Sequence, residues 1–163
     1  KRWIAGKNGK KLYRIRWIDM RKLGIDYGDS RVGLAITDGL GITVQGLETI
    51  HHNGNDRIVL KRLEEIFDKY EIDTIVIGLP LNMNGTKSER VDVTEKFIHK
   101  LKCKFNKISI EKIDERLTTV AAHKTMNYLN INKTKKRNIV DTISAVYILE
   151  TYMDKIKNNG NNT

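Results

Sequence analysis

The sequence predicts an α/β fold: a mixed five-stranded sheet, three antiparallel strands followed by parallel βα units, flanked by helices. Three observations carry this. Two alternating apolar runs flank a glycine turn in GIDYGDSRVGLAITD, from Gly24 to Asp38. The continuous apolar run Thr74-Ile75-Val76-Ile77 suits a strand buried on both faces. Segments with helical spacing alternate with the later strands.

The elements follow in order. Leu23, Ile25 and Tyr27 alternate with Gly24 and Asp26, and Val32, Leu34 and Ile36 alternate with Gly33, Ala35 and Thr37. Gly28-Asp29-Ser30 between them is turn chemistry, so the pair reads as an antiparallel hairpin. A third strand spans Gln45 to Ile50, and His51-His52 reads as loop. Val59, Leu63, Ile66, Phe67 and Tyr70 have helical spacing. The strand through Ile77 runs into GLPLNMNG, which holds the only proline. A helix with Val93, Phe97, Ile98 and Leu101 on one side comes next, carrying Cys103 as a passive residue. Ile108, Ile110 and Ile113 make a strand that ends at Asp114-Glu115-Arg116. Thr118 or Thr119 caps a helix through Leu129, and the last helix spans about Lys136 to Lys157. The tail NNGNNT, residues 158–163, reads as disordered.

The 163 residues suit one domain. No apolar run approaches the roughly 20 residues of a membrane span, and no segment has a secretory-signal pattern. One cysteine permits no internal disulfide, so a reducing cytoplasm is the expected compartment. The net charge is +10, of which residues 1–19 hold +6, with seven basic residues and Asp19. That segment lacks a sustained period and meets Met20. It reads as an extension outside the domain: translated upstream sequence, a cloning remnant or a basic arm. The domain proper then spans 20–157, with a modest positive balance that permits a polyanionic partner.

Three acids fall where such a fold exposes ligands. Asp26 ends the first strand and Glu115 follows the last, at the strand ends where open α/β sheets place their sites. Asp141 lies in the apolar first half of the last helix. Each also has a structural role open to it: Asp26 supporting the turn, Glu115 in a solvated loop, Asp141 at a helix start. Brought together, three carboxylates repel and call for a hard divalent cation with oxygen ligands, Mg²⁺ or Mn²⁺. Two such ions about 4 Å apart can clamp the attacking and leaving oxygens of a phosphodiester. Lys133, Lys135, Lys136 and Arg137 lie just before Asp141, and Arg31 and Arg116 beside the other acids. All are candidates for phosphate contact as well as for ordinary surface charge. Asn84, Gly85 and the hairpin glycines leave room for a substrate backbone, or simply make turns.

LGIDYGDSRVGLAITD, IGLPLNMNGT, DERLTT and VDTISAVYIL, in this order, resemble the YqgF family from Met20 to about Lys157. These are RNase H-fold proteins, described as Holliday-junction-resolvase-like and as nucleases of pre-16S ribosomal RNA. The resemblance implies a catalytic and metal-binding triad of Asp26, Glu115 and Asp141, with Asp114 in reserve. It implies a metal-dependent endonuclease that processes the 5′ end of pre-16S rRNA, a monomer or homodimer. Where the family often has Asp-Ser and small residues, Asp141 is followed by Thr142, Ile143 and Ser144, which bears on local helix packing. Resolution of branched DNA is the alternative. Two readings of another class are an actin-like ATP-binding module, lacking here its second domain and phosphate loop, and a non-catalytic nucleic-acid-binding protein.

Overall fold

A computed structural model describes residues 20–81, 89–114 and 133–160, the side chains of 133–138 and 160 excepted. Five strands form one sheet: β1 (Arg21–Tyr27), β2 (Arg31–Thr37), β3 (Val44–His51), β4 (Ile72–Leu79) and β5 (Ser109–Asp114). Three helices complete the described chain: α1 (Asp56–Lys69), α2 (Glu89–Lys104) and α3 (Lys133–Gly160). The strand order is β3-β2-β1-β4-β5, with β1 at the centre. β1 pairs antiparallel with β2, and β2 with β3; β4 runs parallel to both β1 and β5. This is the mixed, RNase H-like arrangement expected. Among the described residues no helix is long and apolar enough to cross a membrane.

Period-two alternation gives the sheet two working faces. Leu23, Ile25 and Tyr27 of β1 and Leu34 and Ile36 of β2 pack with Val59 and Leu63 of α1 and Phe97 and Leu101 of α2. Phe97 stacks on Tyr27 at 4.2 Å between centroids; burying an aromatic of this size stabilises a fold by about 1.5–3 kcal/mol. The opposite face packs Ala35, Val76 and Ile113 against Ala145, Ile148 and Leu149 of α3. Gly24 belongs to this second face: a Cβ there would lie 2.7 Å from the Ala145 carbonyl oxygen. Asp26, two residues on, points the same way.

Local chemistry sets the boundaries of α1. The Asn55 side chain accepts from the Arg57 N–H at 3.2 Å, an N-cap, and the Tyr70 N–H closes the last turn on the Ile66 carbonyl. The turn before it uses left-handed backbone at Asn53 and Gly54.

Several sequence expectations need correction. The buried stripe of α2 is Val91, Thr94, Phe97, Ile98 and Leu101, while Val93 is 43% exposed. The stripe follows i, i+3 and i+7 from Val91, which leaves Val93 at its edge. The last helix begins at Lys133 rather than Lys136 and continues through 158–160, expected as tail. A helix already nucleated gains a hydrogen bond per added residue, which offsets the weak propensity of asparagine and glycine at its end. Of the two histidines read as loop, His51 instead closes β3 opposite Arg31, while His52 does lie in the β3–α1 connection but is buried there. The extension 1–19, the loop with Asn84 and Gly85, Glu115, Arg116, the helix expected through Leu129 and the residues after Gly160 lie outside the described residues.

Candidate active site

Asp26 sits near the C-terminal end of the central strand, paired in register with Gly33 of β2. A Cβ on Gly33 would run into the main chain of Asp141. The helix α3 therefore crosses the sheet backbone-to-backbone at this point, and it does so because Gly33 has no side chain. Gly46 on β3 leaves the space filled by the Thr142 methyl group, and the Thr142 and Thr49 hydroxyls are hydrogen-bonded at 3.0 Å. The threonine after Asp141 thus fits the sheet through both its methyl and its hydroxyl. Gly24 and Gly33, expected to make room for a substrate backbone, instead seat α3.

The result is a cleft of about 300 Å³ lined by Asp26, Gly28, Asp29, Ser30, Arg31, Arg90 and Asp141. Two of the three expected acids, 115 residues apart in sequence, line it together. Burial pushes the Asp141 carboxyl up; the Arg31 guanidinium and His51 pull against that, and the net direction is upward. Arg31 Nε donates to Asp141 Oδ2 at 2.7 Å, the two side chains being 28% and 18% exposed. The structure thus pairs Arg31 with a carboxylate of the site.

Asp26 and Asp141 are hard oxygen donors on one cleft, a donor set that suits Mg²⁺ or Mn²⁺. Among the described residues no group of three His, Cys, Asp or Glu is gathered, and Glu115 lies outside them. The reserve residue Asp114 is in β5, in register with Leu79. Alternation puts it on the face of Lys112, which bonds Glu95 of α2 at 2.6 Å, rather than that of Ile113 and α3. The backbone of Lys133, Lys135, Lys136 and Arg137 forms the first turns of α3, up-chain of Asp141.

Two residues at this site escaped the sequence reading. Arg90, at the start of α2, joins the cleft wall, and its side chain makes no ion pair among the described residues. One more arginine in a charged chain gives no local signal of that position. His52, beneath the Gly28 turn, is 1% exposed. Its only signal was its place just after a strand.

The sheet order and the mixed strand directions define an α/β domain of RNase H-like fold, with Asp26 and Asp141 meeting at the end of the central strand. The chain belongs to the RuvX family, whose model, described as Holliday junction resolvase, matches residues 20–155. Over 140 residues it is 54% identical to a protein of Ruminiclostridium cellulolyticum named "Putative pre-16S rRNA nuclease", covering 86% of this chain and 98% of that one. A protein of Acetivibrio thermocellus with the same name is 50% identical over 135 residues, covering 83% and 96%. T. thermophilus RuvC, solved in complex with a Holliday junction substrate, aligns at 10% identity and a TM-score of 0.48 over 81% of this chain and 96% of that one.

Proposed function

We propose that the protein is a metal-dependent endonuclease that hydrolyses phosphodiester bonds in structured nucleic acid, and that its substrate is the 5′ region of pre-16S rRNA during ribosome maturation in the cytoplasm. The carrying observation is the meeting of Asp26, Asp141, Arg31 and Arg90 on one cleft. The name shared by the relatives at 54% and 50% identity favours the RNA.

Asp26, Asp141 and Glu115 would hold Mg²⁺ or Mn²⁺; Asp114 is set aside because it lies on the face of Lys112 and α2, away from Asp141. Divalent ions held by these carboxylates would supply the positive charge needed to activate water and stabilise the leaving oxygen. The chain's own residues do the remaining work. Asp26 is fixed by the central strand, and Asp141 by the glycine seat of α3. Arg31 orients Asp141 through Nε, leaving its terminal nitrogens to face a phosphate. Arg90 supplies a second guanidinium on the same wall. Asn84, Gly85, Arg116, Lys133, Lys135, Lys136 and Arg137 extend the backbone contacts, which position nucleic acid without reading its sequence.

The test is cleavage of pre-16S rRNA and of four-way DNA junctions with Mg²⁺ or Mn²⁺, by protein beginning at Met20, wild type against Asp26→Asn. Cleavage of the RNA that vanishes in the variant is expected; cleavage that survives it overturns the mechanism. Binding without cleavage would point to a non-catalytic module. The family description favours a second reading, branched DNA. Symmetric cutting of a junction would call for a homodimer, whereas a monomer suffices for one RNA strand.

A further inference from the structure

We infer that His52 is a positioning residue for the cleft: it holds the Gly28–Arg31 turn from beneath and so sets Arg31 against Asp141. The inference rests on the proposed nuclease reading for its functional half only.

Residue 52 grips this turn twice. Its backbone N–H donates to the Ser30 carbonyl at 2.9 Å, and its ring Nε2 lies 2.9 Å from the Gly28 carbonyl. The Asn53 N–H adds a third bond to Ser30, at 3.1 Å, and the Gly28 N–H closes the turn on the Arg31 carbonyl at 2.9 Å. A carbonyl can only accept, so Nε2 must carry the proton. The other nitrogen, Nδ1, is buried without a hydrogen-bond partner among the described residues. The nearest carboxylate oxygen, Asp56 Oδ1, is 4.0 Å away and already accepts from the Tyr27 hydroxyl at 2.7 Å. Lys100 Nζ donates to the other Asp56 oxygen at 2.6 Å.

The ring is held in place as well as in tautomer. It lies against Tyr27 at 5.6 Å, and the Asn55 N–H donates to the His52 carbonyl at 2.8 Å, tying residue 52 to the start of α1. A buried polar ring with one nitrogen unpaired is costly for stability alone, since an apolar side chain would avoid that cost. What this histidine supplies is a rigid donor aimed at Gly28, two residues from Asp26 and three from Arg31.

The test compares His52→Gln, which keeps a donor near the Nε2 position, with His52→Asn, which is too short to reach Gly28. Nitrogen NMR of the wild type should show the Nε2–H tautomer. The Arg31 Nε–H resonance should be slowed in exchange in the wild type and in His52→Gln, and lost to rapid exchange in His52→Asn. In the cleavage assay, His52→Asn should raise KM about tenfold, as the loss of one buried hydrogen bond would, and His52→Gln should return it to within about twofold. An Nδ1–H tautomer, an unchanged Arg31 signal in His52→Asn, or equal defects in the two variants would overturn the inference. A wild type that cleaves neither RNA nor junctions overturns the proposed function instead, and the two NMR readouts then decide the role of His52.

Discussion

Arg31 Nε and Asp141 Oδ2 meet at 2.7 Å across 110 positions of chain, joining the hairpin to the last helix at the edge of the cleft. The guanidinium lowers the cost of keeping a half-buried carboxylate charged and stands where a phosphate would approach. Arg31→Ala should therefore weaken binding of nucleic acid and reduce the slope of log K against log salt by about 1. Arg31→Lys should restore little, because one ammonium cannot bond the carboxylate and face a phosphate in the same fixed plane. Filter binding across a salt series measures both.

Gly33→Ala tests the seat of α3. The added methyl has the Asp141 main chain in its way, so helix or strand must shift. Overpacking of this kind costs about 1–3 kcal/mol, which denaturant unfolding will read. Cleavage should fall further than the folded fraction does, because the shift moves Asp141 itself.

Asp141 should trade stability for function. Its carboxyl titrates above the ordinary range in the folded protein, so the native state binds more protons than the unfolded state between about 3.9 and that raised value. Stability from this group consequently falls as pH rises through that window. Asp141→Asn removes the charge, and the variant should melt about 1–3 °C higher than wild type at pH 7. The difference should shrink toward pH 4, while cleavage stays abolished. Melting curves at several pH values decide this.

Asp56 carries the opposite sign. Burial raises its carboxyl, but hydrogen bonds from Lys100 and Tyr27 outweigh that, and the net value lies below the ordinary range. Its contribution is present above the unfolded value and is lost as pH falls through the folded one. Asp56→Asn should cost about 1 kcal/mol at pH 7 and progressively less in acid. Urea titrations at neutral and acidic pH will show whether the gap closes.

The sheet was legible because its signals are local. Alternation in β1 and β2 and the glycine turn between them mark the hairpin within fifteen residues. Asp26 stood out as a lone acid in an apolar run. Val93 was misplaced because a helical stripe two residues wide leaves its flank ambiguous until the sheet it faces is known. Arg90 and His52 depend on chain crossings: one on where α2 starts over the end of β1, the other on the turn that joins β3 to α1. The hairpin glycines were visible, but their purpose was not. Gly24, Gly33 and Gly46 face Ala145, Asp141 and Thr142, each more than ninety residues away in sequence, and nothing near them in the chain announces it.

Those three glycines have a consequence for how the site tolerates change. Where side chains separate a helix from a sheet, every exchange of a core residue alters the spacing. Here, at Gly24 and Gly33, main chain rests on main chain, and the standoff at the Asp141 crossing is fixed by atoms every residue shares. Apolar side chains on the opposite layer, around Phe97 and Leu63, belong to a separate core cluster and take no part in that crossing. The glycines act as a datum face: they isolate the alignment of the carboxylates from drift in the rest of the core.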